Sequence, residues 1–119
     1  MRLNEIAFQG PPPIDSYGPG GFRIAGIWYP GSLIVLPDEV VRFEGFTREG
    51  VAPLIAARGR IDVVLAGQGA EIAPMPSPIR QEIEAAGIGV EIMSTPSACR
   101  TYNVLLSEDR RVGALLLPV

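Results

Sequence analysis

Gly89-Val-Glu-Ile-Met-Ser-Thr-Pro-Ser-Ala-Cys-Arg-Thr-Tyr-Asn-Val-Leu-Leu-Ser-Glu-Asp-Arg-Arg-Val-Gly-Ala-Leu-Leu-Leu-Pro118 reads as strand, capped helix, strand. A short apolar run ends at Met93. Ser94 and Thr95 followed by Pro96 supply a helix start, because a hydroxyl accepts from the free N–H groups of a first turn and proline has none to lose there. The helix is expected over about Ser97 to Ser107, with Ala98, Cys99, Tyr102, Leu105 and Leu106 on one broad core face. The run after Arg110-Arg111 is apolar at successive positions, as in a strand covered on both sides.

Upstream, the same alternation repeats. Ile61 to Ala66 reads as a buried strand, followed by a Gly67-Gln68-Gly69 turn, a proline loop at Pro74 and Pro76, and a helix starting at Ser77-Pro78 and closed by Gly87. Before it, Val51, Leu54, Ile55 and Arg58 fall at helical spacing, with Pro53 suited to a first turn and Gly59 to the stop. The N-terminal part reads instead as hairpins. Leu3 to Phe8 is a first strand, and Gln9 to Gly21 is a Pro/Gly-rich loop that Ile14 and Tyr17 pin to the body. Phe22 to Tyr29 and Ser32 to Leu36 form a hairpin through Tyr29-Pro30-Gly31-Ser32, a type II turn in which Pro presets the first φ and Gly accepts the positive second one. Val40 to Phe43 adds another short strand. Hairpins followed by βαβα units predict a mixed sheet flanked by helices, with the early ribbon packed at one edge.

The 119 residues suffice for one domain with a real core, spanning 1–119, and no apolar stretch reaches the roughly 18 residues of a membrane-spanning helix. Met1 to Ile6 lacks both the apolar core of a signal peptide and the Arg/Ser-rich character of a transit peptide, so a soluble, cytoplasmic protein is expected. The inventory narrows the chemistry. With no histidine, Ser-His and Cys-His activation and His-ligated metals are excluded; with no lysine, so are Schiff bases and the phosphate-loop lysine. One cysteine makes neither an intrachain disulfide nor a thiolate cage. No metal and no cofactor is expected. The net charge of −3, with arginines scattered along the chain, argues against nucleic-acid binding.

Three features carry functional candidates. Cys99, near a helix N-terminus and beside Arg100, is either an activated thiolate or a small buried hydrophobe, and without a histidine base the core reading is preferred. Gly67-Gln68-Gly69 ends a strand where open α/β sheets bind ligands, yet Ile72 replaces the third glycine of a dinucleotide fingerprint. If the strands ending at Ala66 and Met93 are parallel neighbours, Gly67, Gln68 and Gly69 meet Ser94, Thr95, Arg100 and Asn103 at one end of the sheet, a candidate crevice for a small anion or a carboxylate. The bland reading of that region is a tight turn beside a capped helix. The paired carboxylates Glu108-Asp109 and Glu82/Glu84 read as solvated surface, and Asp62 as an arginine partner.

Ile14-Asp-Ser-Tyr-Gly-Pro-Gly-Gly-Phe-Arg-Ile-Ala-Gly26, Tyr29-Pro-Gly-Ser-Leu-Ile-Val-Leu-Pro37, Asp62-Val-Val-Leu-Ala-Gly-Gln-Gly69, Gly89-Val-Glu-Ile-Met-Ser-Thr95 and Ala98-Cys-Arg-Thr-Tyr-Asn-Val-Leu-Leu106 with Arg110-Arg-Val-Gly-Ala114 occur in this order. As a set they resemble the domain of unknown function 498 family. The resemblance implies a three-layer α/β fold with a mixed central sheet of about five strands and a β-ribbon alongside. It implies no activity; mitochondrial members assist assembly of a membrane respiratory complex, and bacterial relatives are often encoded near protein-export genes. The expectation is therefore a non-enzymatic assembly or interaction factor whose partners are other proteins, compatible with peripheral association with a membrane complex and with self-association. Tyr17, Trp28 and Tyr29 are the candidate aromatic anchors for partners. The alternative is a small-molecule or anion binder, or an enzyme, using the Gly67–Gly69 and Thr95–Asn103 crevice.

Overall fold

The computed structural model describes Leu3 and residues 10–119; the strand expected over Leu3 to Phe8 lies outside the described residues apart from Leu3 itself. Among the described residues, eight strands and three helices follow in the order β1 (Ile14–Gly18), β2 (Gly21–Ile24), β3 (Ile27–Pro30), β4 (Leu33–Val35), β5 (Val40–Arg42), α1 (Arg48–Ala56), β6 (Val63–Gln68), α2 (Ser77–Ala85), β7 (Gly89–Met93), α3 (Thr95–Ser107) and β8 (Val112–Leu117). The central sheet has the order β5-β4-β8-β6-β7, and β1-β2-β3 form a separate three-stranded ribbon. β6 is parallel to both β7 and β8, whereas β4 is antiparallel to β5 and β8, so the sheet is mixed.

Strand periodicity sorts the core into two layers. Ile34, Val41, Val64, Ala66 and Leu115 face α1 and α2, where they meet Val51, Leu54 and Ile83. Leu33, Val35, Val40, Leu65, Ala114 and Leu116 face α3 and the ribbon, where they meet Phe22, Ile24, Tyr29, Ala98 and Tyr102. Both sheet faces are therefore covered, which explains the continuous apolar run of β8. The ribbon does not extend an edge of the sheet; it lies over the same face as α3.

The helix starts follow local chemistry. Thr47 caps α1, its Oγ1 accepting from Gly50 N–H at 2.9 Å, and Ser94 caps α3 by accepting from Ser97 N–H. Pro53 lies inside α1 and not in its first turn, since the helix begins at Arg48. Gly59 and Gly87 hold positive φ after α1 and α2, as their stop positions require.

The expected hairpin through Pro30-Gly31 is not formed. Gly31 has the positive φ of +84° that the sequence suggested, but its N–H donates to Gly20 O at 2.7 Å, and the chain turns a corner there from the ribbon into the central sheet. The real hairpins lie to either side of β2, at Pro19-Gly20 and Ala25-Gly26. The run Phe22 to Tyr29 hides the second turn because alanine occupies it. Ala25 and Gly26 both have positive φ, 49° and 82°, the type I′ arrangement that matches strand twist. Asp15 Oδ2 supports the turn by accepting from Gly26 N–H at 2.6 Å.

Alanine bears a steric cost at a left-handed position that asparagine tolerates better. Ala25→Asn is expected to stabilise the fold by about 0.5–1 kcal/mol, read as a rise of about 2–5 °C in thermal unfolding. An unchanged or lower midpoint would show that the turn relaxes at no cost.

Candidate functional site

At the C-terminal ends of β6, β7 and β8 the expected convergence occurs: β6 and β7 are parallel neighbours, and Gly67–Gly69 meets the start of α3. The contact is a lock made by Thr95. Its N–H donates to Gly69 O at 2.7 Å, its Oγ1 accepts from Gly69 N–H at 2.9 Å, and its hydroxyl donates to Leu117 O at 2.6 Å. Thr95 is fully buried. Gly67 provides the space, since a Cβ there would come within 2.8 Å of Thr95 Cα. Side-chain alternation turns Gln68 to the opposite face of the sheet, where its Oε1 is buried with no partner among the described residues.

Ser94 and Arg100 surround Ser97: the Ser94 hydroxyl donates to Ser97 Oγ at 3.2 Å, and the exposed Arg100 guanidinium donates to the same oxygen at 3.4 Å. Asn103 is elsewhere. Two turns along α3, its Oδ1 accepts from Ile14 N–H at 3.0 Å and its Nδ2 donates to Ile14 O at 2.7 Å. The side-chain amide thus takes the place of a neighbouring strand. Tyr102 works beside it, fully buried and donating its hydroxyl to Pro12 O at 2.8 Å. Sequence reasoning did not foresee this clamp. Its signal is the Tyr-Asn pair on a helix whose other apolar positions explain themselves by core packing.

The ribbon divides the three aromatic candidates. Tyr17 and Trp28 are 40% and 43% exposed, and Ile27 beside the turn is 43% exposed. Tyr29 is buried in the core under the ribbon; burial pushes its phenol pKa up, and its hydroxyl has no partner among the described residues. Trp28 lies across glycine, with its ring 2.7 Å from where a Gly21 Cβ would stand and near Gly18 as well. The indole is therefore held flat on the outer face of the ribbon while remaining half open to solvent.

Burial pushes the Cys99 thiol up to about 11, the Arg100 charge offsetting only part of that. The thiolate fraction at pH 8 is then about a hundredfold below that of the same thiol with its ordinary value. Alkylation of Cys99 in the native protein is expected to be slower than that of an exposed cysteine by at least that factor, and to accelerate as pH rises toward 11. Rapid stoichiometric labelling at neutral pH would overturn its assignment to the core. Asp62 is held below the usual carboxylate range by hydrogen bonds from Arg111, an exposed pair. Two hollows lie elsewhere, one of about 600 Å³ between α1 and α2 over Ala52, Ile55 and Ala56, the other of about 390 Å³ beside Arg60, Arg110 and Val112. Neither is lined by strand-end or ribbon candidates.

The architecture is that of a three-layer α/β domain whose appended ribbon displays aromatic side chains. The chain belongs to the family described as proteins of unknown function (DUF498/DUF598), whose model matches residues 14–117. An uncharacterised protein of Rhodobacter capsulatus is 49% identical over the whole chain and 94% of its own length. NADH dehydrogenase (ubiquinone) 1 alpha subcomplex assembly factor 3 of Rattus norvegicus is 36% identical over 88% of this chain, which spans 60% of that protein. Among solved structures, an outer membrane protein from Bartonella henselae is 40% identical with a TM-score of 0.85, covering 94% of this chain and 98% of that one.

That last relative corrects the expectation of a strictly cytoplasmic location. The expectation rested on the reading of Met1 to Ile6 and on the short apolar runs, and the latter report only whether a helix can insert, not where a folded domain docks. No described helix is long and apolar enough to cross a membrane.

Proposed function

We propose that this domain is a non-enzymatic docking module that contributes to assembly of a membrane-associated protein complex, and that it engages its partner through the β2–β3 hairpin. The observation that carries this reading is Trp28, the one tryptophan of the chain, spread over the outer face of a ribbon with Ile27 exposed at its tip. Aromatic side chains held rigidly at the surface lose little entropy on binding and are the usual anchors of protein interfaces. The ribbon is rigid because Asn103 and Tyr102 tie its first strand and the preceding loop to α3. The assembly-factor relative supports the role, and the outer-membrane relative supports a membrane setting.

A photo-crosslinking residue at Ile27, introduced in the native cells, tests the reading. A discrete adduct with another polypeptide is expected from position 27 and not from exposed Glu84 on α2, with loss of the adduct in Trp28→Ala. Equal labelling from both positions, or none from position 27, would count against it.

A second reading, an anion or small-molecule site at Gly67–Gly69 and Thr95, rests on the strand-end position alone, because the unpartnered Gln68 Oε1 lies on the opposite face and, as an acceptor, calls for a donor and not an anion. It competes with the lock, in which the Thr95 hydroxyl already both donates and accepts. Titration with phosphate, followed at the Gly69 and Thr95 amides, separates the two readings.

A further inference from the structure

β3 is the outer strand of the ribbon, and the parity of its hydrogen bonds identifies what it offers at its edge. Gly31 N–H donates to Gly20 O at 2.7 Å, so the Gly20–Gly31 position is a hydrogen-bonded pair. Antiparallel pairs alternate, and the register runs Gly21↔Pro30, Phe22↔Tyr29, Arg23↔Trp28. Pro30, which has no N–H, falls in a non-hydrogen-bonded pair as it must; Tyr29 is bonded to β2; Trp28 is not. The N–H and C=O of Trp28 and the C=O of Pro30 therefore point away from β2. The molecule shows how such an edge is closed elsewhere: on β1, the outward N–H and C=O of Ile14 are both taken by Asn103. Among the described residues, nothing does the same for β3.

We propose that the docking surface of the ribbon is this edge, and that its occupant is an extended segment of another polypeptide that adds as a fourth strand centred on Trp28. The inference rests on the docking role proposed above and states its chemistry. Main-chain bonds to the Trp28 N–H, the Trp28 C=O and the Pro30 C=O supply the pairing, and an apolar residue opposite Trp28 packs against the indole. An acidic residue at the far end of the segment completes the match. There Arg42 Nη1 stands 3.2 Å from the Cβ position of Gly31, and its guanidinium has no hydrogen bond or ion pair among the described residues.

A second copy of this chain fits less well. The Gly26 N–H is bonded to Asp15 and the Gly26 C=O accepts from Arg23, while Pro30 has no N–H. Two β3 edges paired about Trp28 would thus share only the two bonds between the Trp28 residues. Both copies would also carry a net charge of −3.

The probe is a displayed library of random peptides selected against the intact chain, and the readout is amide exchange at Trp28 with and without a selected peptide. Protection of the Trp28 amide by at least about tenfold is expected. Trp28→Ala and Trp28→Pro both delete the indole, but only proline removes the outward N–H, and the β2–β3 ladder tolerates it because that N–H is not used internally. Trp28→Pro is expected to bind about tenfold more weakly than Trp28→Ala. Arg42→Gln is expected to weaken acidic peptides selectively. Peptides that require the indole yet leave the Trp28 amide unprotected would overturn strand addition and leave docking by the ribbon standing. Selection of no ribbon-dependent peptide would overturn both. Protection that grows with protein concentration alone would identify a second copy as the occupant and overturn the proposal.

Discussion

Gly67→Val is expected to destabilise the domain by about 3 kcal/mol or more, read as a lowered denaturation midpoint with an unchanged slope. A Cβ at this position would stand 2.8 Å from Thr95 Cα, 2.9 Å from Thr95 Oγ1 and 3.1 Å from Ala98 Cβ. The first of these is main chain, and α3 has no freedom to retreat from it. Its N-terminus is bonded to Gly69 through both the Thr95 N–H and Oγ1, and to Leu117 through the Thr95 hydroxyl, all at a fully buried residue. Withdrawing the helix would break bonds that water cannot replace, and leaving it in place forces the overlap. Gly69→Ala is the control. Its Cβ would meet only Pro118 O, at 3.8 Å, but its φ of +106° is one that alanine resists, so the cost there is conformational and about 1–2 kcal/mol. Equal losses at the two positions would show that close approach of α3 is not what requires glycine at 67.

The same residues show what the sequence discloses and what it conceals. The alternation of apolar strands and capped helices after Val51 is local chemistry, and it places α1, α2, α3, β6, β7 and β8 to within a few residues. The meeting of Gly67–Gly69 with Thr95 also follows from sequence, because parallel strands bring their C-terminal ends together. What the meeting does is not legible there: a threonine that caps a helix and one that locks two strands to it look alike until the partner carbonyls are placed. The ribbon was harder to read for a related reason. Pro30-Gly31 carries a genuine turn signal, but a turn between two sheets and a turn within a hairpin demand the same φ values, and only the identity of the pairing strand distinguishes them. Ala25 gives no signal at all for a left-handed residue. The sequence groups Asn103 with the strand-end crevice, whereas its amide is occupied by a strand 89 residues earlier in the chain.

Asn103→Ala is expected to cost about 3 kcal/mol and to loosen the ribbon before the central sheet. The substitution leaves both the N–H and the C=O of Ile14 without their partners, at a residue only 3% exposed. Two unsatisfied main-chain groups at roughly 1–3 kcal/mol each set the scale, reduced by whatever water reaches them. The damage should be local. β4, β6, β7 and β8 keep their own ladders, and the sheet face below retains Leu65, Ala114 and Leu116 against α3. Amide exchange is therefore expected to accelerate first at β1 and β2 and only later at β6 and β8. Asn103→Asp provides the internal comparison: its carboxylate still accepts from Ile14 N–H but faces Ile14 O with no donor, so it should lie between wild type and alanine near neutral pH and recover toward wild type as acid protonates it. The functional consequence follows from the same geometry. If Trp28 docks a partner only while the ribbon is held, Asn103→Ala should weaken crosslinking from Ile27 even though it touches neither residue. Crosslinking that survives a loosened β1 would show that the β2–β3 hairpin alone suffices for docking.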